Sequence, residues 1–230
     1  MTSRIQGGGV GRNPFGVQWA QGKAEPGSVG EQVQDNLFGR PKPKVLDQDD
    51  ADCAHLLARL HPYRLKLARL AGDQEGDYRF LLSTGTIAAI DQSGTIYVGK
   101  EFLLDQAPSL DTQVGVIAHE IGHRPRRWNE YREGRVMGKA ELEDLCRLEE
   151  TRADYFAGWS LAQLGLKAEP LCRFLRAIQI HPHPEYFSVE LREKTIIEGH
   201  EAGARRQANL QKFFPELARL TSARGDLGSG

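Results

Sequence analysis

Cysteine is scarce in this chain, and its positions do not suit a disulfide framework. The 230 residues include only Cys53, Cys146 and Cys172, which are widely spaced and odd in number. No two of them form the Cys-x-x-Cys pair that zinc knuckles and redox motifs use. We therefore expect the fold to depend on a hydrophobic core, with each cysteine acting as a small buried apolar residue.

Long apolar runs and a strong net charge are also absent. No stretch approaches the roughly 20 apolar residues that cross a bilayer, and the N-terminus lacks the basic-then-apolar pattern of a signal peptide. The formal net charge is −1, which gives no overall attraction to nucleic acid or anionic lipid. We expect no membrane span and no nucleic-acid partner. The expected location is cytoplasmic, or exported by a route that is independent of a signal peptide.

Residues 1–50 differ in composition from the rest of the chain. They contain 9 glycines and 4 prolines but few large apolar residues. Such a segment cannot bury enough surface to offset the entropy that ordering costs. We expect an irregular or disordered arm here, open to docking on a protein partner or carrier. A single domain over residues 51–222 and a flexible tail over 223–230 complete the predicted organisation.

Helical periodicity dominates the predicted domain. Leucines and alanines recur at helical spacing from Asp52 to Ala71, where Pro62 predicts a break between two helices. Tyr78–Ser83, Thr86–Ile90 and Thr95–Val98 predict a short antiparallel meander. Helical patterns follow at about 112–124, 140–164, 169–180 and 189–222. A small sheet carried by helices predicts an α+β fold.

The segment His119-Glu120-Ile121-Gly122-His123 carries the strongest functional signal. Residues four apart share one face of a helix, so both imidazoles can bind one metal ion from a rigid support. Glu120 can contact a water at that ion without being a ligand. This is the HExxH arrangement of zinc hydrolases, in which the glutamate is the general base. Pro125 predicts that the helix ends or kinks near His123.

Catalytic zinc requires a third protein ligand. A second pair of residues on one helix face offers a candidate for it. Glu150 and Asp154 stand four residues apart in a helical segment. Glu150 can complete a set of two histidines and one glutamate, and Asp154 can hydrogen-bond the second nitrogen of a ligand histidine. Glu149 is the rival ligand, but it has no acidic partner four residues on, because Ala153 stands there.

With these motifs the chain resembles the gluzincin metallopeptidases, and most closely the branch containing the heat-shock membrane protease and the CAAX prenyl protease. Glu150-Thr151-Arg152-Ala153-Asp154 matches the Glu-x-x-Ala-Asp motif of that branch at each position. Ser93–Gly99 resembles the strand before its zinc helix. The resemblance covers roughly residues 80–195. Arg126 and Asn129 stand where metzincins have glycine and histidine, so that related pattern does not apply.

The resemblance implies a zincin-like metallopeptidase domain that binds one zinc ion per chain. His119, His123 and Glu150 would be the ligands, Asp154 would orient a ligand histidine, and Glu120 would be the general base in the hydrolysis of peptide bonds. A protein or peptide is then the substrate, and the expected activity is that of a zinc endopeptidase.

The same resemblance implies further residues around the reacting carbonyl. The branch carries a His-Pro element followed by an arginine, so His183 or His181 would lie near the oxyanion and Arg192 would support the site. The spacing leaves the choice of histidine open. The substrate would add a strand to an edge of the sheet, for which the candidates are Thr95, Ile96, Tyr97 and Val98.

Two other functions use the same residues. A toxin-like effector protease, delivered by a specialised secretion route, would use the arm for delivery or docking. A zinc-bound but inactive protein-binding module would keep the ligands, although a pure metal scaffold has no need of Glu120.

A group of arginines follows the zinc helix, and we expect it to form a solvated loop because glutamates dilute its charge: Arg124, Arg126, Arg127, Arg132 and Arg135.

Overall fold

A computed structural model describes residues 26–38, 42–48, 51–104, 109–123, 133–181 and 183–213. This part of the chain is mostly helical and carries one small mixed sheet, which is compatible with the predicted α+β class. A short 3-10 helix spans Glu75–Asp77. The helices are α1 Val29–Phe38, α2 Ala51–Ala71, α3 Lys100–Leu104, α4 Leu110–Gly122, α5 Lys139–Gln163, α6 Glu169–Ile178 and α7 Val189–Phe213.

The sheet contains four strands in the order β1-β2-β4-β3. They are β1 Lys44–Val45, β2 Arg79–Thr84, β3 Ala88–Ile90 and β4 Thr95–Gly99. Strand β2 pairs with β4 in parallel, and the other two pairs are antiparallel. The predicted antiparallel meander is therefore wrong for β2, whereas its antiparallel pairing of β3 with β4 is confirmed. Strand β4 lies between β2 and the shorter β3, and every residue of β4 is buried, as expected of an interior strand.

This strand order also changes where a substrate strand could pair. Thr95, Ile96, Tyr97 and Val98 were predicted to form the edge, but all four lie in β4 with a neighbour on each side. An interior strand has its hydrogen-bonding groups in use on both sides, so it cannot accept another strand. Within the described sheet the edge on the α4 side is β3, whose Ala88 and Ala89 are half-buried.

Helix α4 forms the centre of the molecule. Ser109 is its N-cap and accepts a hydrogen bond from the Thr112 backbone N–H. The helix ends at Gly122 with His123 as its C-cap, as Pro125 predicts. Helix α2 packs beside α4 and runs unbroken through Pro62, so the predicted split into two helices is wrong. Buried residues on both sides of the proline, such as Leu60 and Leu67, hold the two halves in one core.

Glycines bring the helices that carry the site unusually close together. A Cβ atom at Gly122 in α4 would lie 2.8 Å from the Cα atom of Ala153 in α5. A Cβ atom at Gly158 in α5 would lie 1.9 Å from the carbonyl oxygen of Ile196 in α7. Both distances are shorter than a side chain allows, so these contacts exist because glycine has no Cβ. Helix α5 is therefore held directly between α4 and α7.

The segment before residue 51 is structured where the structure describes it, so the predicted irregular arm is wrong for residues 29–38 and 44–45. Helix α1 buries Val29 and Val33 against Met137 and Cys146. The prediction failed because this helix gains its stability from docking on α5 rather than from its composition. Residues 1–25 and the tail at 223–230 lie outside the described residues.

Two further predictions concern cysteines and the membrane. Cys146 and Cys172 are buried and free, as expected of small apolar residues, while the side chain of Cys53 lies outside the described part. Among the described residues, no helix is long and apolar enough to cross a membrane.

Candidate metal centre

The last turn of α4 and the middle of α5 bring three potential ligands together. The ligand atoms of His119, His123 and Glu150 all lie within 4.8 Å of one another. His119 Nε2 is 3.2 Å from Glu150 Oε2, and His123 Nε2 is 3.8 Å from Glu150 Oε1. The imidazole rings are 4.9 Å apart and nearly perpendicular. Two imidazole nitrogens and a carboxylate oxygen that converge in this way could hold a metal ion.

Glu149, the rival ligand, points elsewhere. Its side chain is fully buried, and its Oε1 atom accepts a hydrogen bond from Arg152 at 2.9 Å. It is not a member of the group of ligand atoms around the histidines. Glu150, which the sequence favoured because Asp154 stands four residues on, is therefore the residue that the structure brings to the histidines.

Asp154 and Arg192 form a buried support behind His119. His119 Nδ1 is 3.0 Å from Asp154 Oδ1. Arg192 donates to both oxygens of Asp154, from Nε at 2.7 Å and from Nη2 at 2.9 Å. Burial alone would raise the pKa of Asp154, but hydrogen bonds from His119 and Arg192 outweigh it and hold the pKa below its ordinary value. The charged carboxylate thus fixes the orientation of the His119 ring.

The two histidines differ in how they hold a proton. Burial disfavours the charged form of both. At His119 the hydrogen bonds with Asp154 and Glu150 outweigh burial and raise the pKa to about 10. At His123 burial prevails and lowers the pKa to about 4. A metal ion that binds His119 Nε2 would have to displace the proton that Glu150 favours at that nitrogen.

Glu120 lies beside the ligands and faces the edge of the sheet. Burial raises the pKa of its carboxyl group to about 7, although His119 and a hydrogen bond from the Ile90 backbone act in the opposite direction. A carboxyl group in this range can accept and return a proton near neutral pH. The Glu120 carboxyl group thus lies close to the Ile90 backbone of β3.

The ligand group opens into a cleft of about 340 Å³. His119, Glu120, His123 and Glu150 line one part of it, and residues of β3 line another. A second, smaller pocket of about 150 Å³ also adjoins His119 and Glu120. Apolar side chains dominate this pocket: Ile87, Val116, Leu171, Phe174, Leu175 and Ile178.

The loop between α6 and α7 contributes a different residue from the ones that the sequence predicted. His181 and His183 are exposed, and neither lines the cleft or the apolar pocket. His183 Nδ1 instead accepts a hydrogen bond from the Glu185 backbone N–H at 3.2 Å. Tyr186 of the same loop lines both cavities, and the Arg192 guanidinium lies 4.7 Å from the centre of its ring. No motif in the sequence marked Tyr186.

The arginine cluster after α4 is only partly described. Residues 124–132 lie outside the described part, so most of the cluster cannot be placed. Arg135 is exposed and forms ion pairs with Glu133 and Glu141. At this one position, acidic neighbours balance the basic charge.

The fold and the site together define a mainly helical α+β protein with a candidate metal centre. Comparisons of the chain with protein-family models, with curated proteins and with solved structures gave no match. The functional assignment therefore rests on the geometry of this centre and on the cavities beside it.

Proposed function

We propose that the protein is a zinc-dependent endopeptidase of the gluzincin type, with a zincin-like domain. The convergence of His119, His123 and Glu150 within 4.8 Å is the observation that carries the proposal. Two imidazoles and one carboxylate suit zinc, and three protein ligands leave a coordination position for water or substrate, as in catalytic rather than structural zinc sites. A bound zinc ion would lower the pKa of water and polarise a peptide carbonyl.

In this reaction Glu120 carries a proton from the attacking water to the leaving amine. It adjoins the ligand group without belonging to it. Its carboxylate takes the proton of the attacking water and then passes it to the leaving amine, so that the peptide bond breaks without a free, unstable amide anion. A metal scaffold without hydrolytic activity would have no use for a carboxylate at this position.

Asp154 and Arg192 act through His119. The carboxylate accepts a hydrogen bond from the Nδ1–H group of the ring, which leaves Nε2 with its lone pair directed at the ligand group. Arg192 holds the carboxylate with two hydrogen bonds. Together they keep the ligand in one tautomer and one orientation, which strengthens metal binding.

The edge strand and the apolar pocket support a peptide as the substrate. An extended peptide that pairs with β3 would lie across Glu120, whose carboxylate already contacts Ile90. The pocket of about 150 Å³ beside Glu120 is apolar and comparable with a cavity that holds one benzene molecule. We therefore place one large apolar side chain of the substrate there.

Metal content and peptide cleavage, measured on the same preparations, test the proposal. The wild type should bind one zinc ion and cleave casein or peptides. Glu120→Gln should keep the metal and lose cleavage by at least about a hundredfold, since only the proton carrier is removed. Cleavage that survives in Glu120→Gln, or a zinc-loaded wild type that cleaves nothing, would refute the peptidase; the latter result would favour an inactive zinc-bound binding module.

A pair of adjacent variants tests the ligand assignment. Glu150→Gln should weaken zinc binding on the order of a hundredfold or more, because it removes the only carboxylate of the set. Glu149→Gln is the matched control, since it makes the same chemical change one residue away at a side chain that binds Arg152 instead. Full zinc occupancy in Glu150→Gln, measured by elemental analysis after dialysis, would overturn the assignment.

A further inference from the structure

The chain before the domain core lines the same cleft as the ligand group. Leu37 at the end of α1, together with Lys42 and Pro43 before β1, lies in the wall of the cleft of about 340 Å³. Lys42 Nζ is 3.0 Å from Asp91 Oδ2. Because Asp91 directly follows β3, Lys42 stands at one end of the edge strand on which the substrate would pair.

Asp91 is a rigid anchor for this contact. Its Oδ1 atom accepts hydrogen bonds from the Ser93 backbone N–H at 2.8 Å, the Ser93 hydroxyl at 2.6 Å and the Thr95 backbone N–H at 3.1 Å. Its Oδ2 atom accepts one from the Tyr97 hydroxyl at 3.1 Å. The carboxylate thus closes the turn between β3 and β4, and it cannot swing aside with the lysine.

The chain segments on either side of Leu37, Lys42 and Pro43 are held by contacts with the core of the domain, and not by the Lys42–Asp91 ion pair. On one side Val33 of α1 is fully buried, and Asn36 donates hydrogen bonds to Cys146 and Glu185. On the other side β1 pairs with β2, and the Leu46 backbone N–H donates to the Leu82 carbonyl oxygen at 2.9 Å. The Lys42–Asp91 pair is largely exposed on the lysine side, so it contributes little to holding this segment in place. These flanking segments therefore hold Leu37 and Pro43 in the wall of the cleft independently of the ion pair.

From this arrangement we propose that the Lys42–Asp91 pair closes the Asp91 end of the cleft, with Leu37 and Pro43 in the same wall, and makes the cleft selective for peptide length. The inference rests on the proposed peptidase function. A peptide paired with the three residues of β3 has about 10 Å of ladder, at about 3.3 Å per residue. Beyond Ile90 it meets Asp91 and Lys42. The preferred substrate is therefore a peptide whose chain ends within at most about three residues of the scissile bond on that side.

Two nested sets of fluorogenic peptides test the proposal on the full chain. One set is extended residue by residue before the cleaved bond, and the other is extended after it. We expect kcat/KM to fall at least tenfold beyond about three residues in one set and to stay level in the other. Lys42→Ala should raise kcat/KM for the long peptides of that set at least threefold above the wild-type value. Lys44→Ala, the same change on β1 outside the cleft, should leave the length profile unaltered.

Binding gives a second reading that does not depend on turnover. The same peptides are titrated into Glu120→Gln, and the Kd should show the same one-sided dependence on length. Equal kcat/KM and equal Kd at every length in both sets, or a length profile that Lys42→Ala leaves unchanged, would overturn the length selection while the peptidase stands. A zinc-loaded protein that neither cleaves nor binds any of the peptides would instead refute the proposed function, and the length selection with it.

Discussion

Removing the carboxylate of Asp154 should damage stability and metal binding together, and the structure allows the two effects to be separated. Asp154 is 1% exposed and Arg192 is 8% exposed, so Asp154→Ala leaves a buried guanidinium without its charge partner. Breaking a buried ion pair in this way costs about 3–5 kcal/mol. His119 also loses the acceptor that orients its ring, which should weaken metal affinity about 10–100-fold.

The double variant Asp154→Ala/Arg192→Met distinguishes the two effects. It removes both buried charges, so its free energy of unfolding should exceed that of Asp154→Ala by at least about 2 kcal/mol. Its metal affinity should stay as low as that of the single variant, since His119 still lacks its acceptor. Urea unfolding measures the first quantity, and competition with a zinc-sensitive dye measures the second.

An exposed ion pair on α7 provides the control. Lys194 and Glu198 lie 3.9 Å apart, with side chains 69% and 58% exposed, so Glu198→Ala should change the free energy of unfolding by less than about 0.5 kcal/mol. A loss of less than about 1 kcal/mol in Asp154→Ala would contradict a buried ion pair between Asp154 and Arg192. Recovery of the metal affinity in the double variant would show that the loss comes from stability rather than from the orientation of His119.

Three further predictions concern packing. Gly158→Ala should lower the free energy of unfolding by about 1–3 kcal/mol, because the new Cβ would meet the Ile196 carbonyl oxygen, whereas Gly134→Ala has open space and should change it by less than about 0.5 kcal/mol; equal effects in denaturant titrations would contradict this. Val33→Ala should cost about 1–3 kcal/mol in the same assay, since Val33 is fully buried, and no loss would mean that α1 does not dock on α5. Phe174→Ala enlarges the apolar pocket, in which we place one side chain of the substrate. It should raise about tenfold the ratio of kcat/KM for peptides with tryptophan at that substrate position to kcat/KM for peptides with leucine there, and an unchanged ratio would mean that the substrate side chain does not bind in this pocket.

The sequence predicted the centre of the site because its signals are local. His119 and His123 share a helix face by spacing alone, and Pro125 marks where that helix ends. Glu150 and Asp154 follow the same rule on α5. The convergence of the two helices could be expected only from the need of a metal for a third ligand, and the structure brings the chosen residues together.

The remainder was missed because it depends on contacts between distant parts of the chain. Nothing near β4 tells that it pairs with both β2 and β3, so the edge was assigned to Thr95–Val98 instead of Ala88–Ile90. Composition made residues 29–38 look irregular, although α1 is ordered by burying Val33 against α5. The prolines around His181 and His183 suggested a turn, but not that Tyr186 would face the cavities.

The distance between the ligands is set by a backbone contact rather than by the ligand side chains. Gly122 lies between the two histidines in sequence, and the Cα atom of Ala153 lies only 2.8 Å from the place that a Cβ atom of residue 122 would take. A methyl group at position 122 would act as a wedge and move α5 outward, taking Glu150 with it. The glycine between the imidazoles therefore sets the spacing of the candidate ligands, and its replacement should alter which cations the site can bind even though every donor atom is still present.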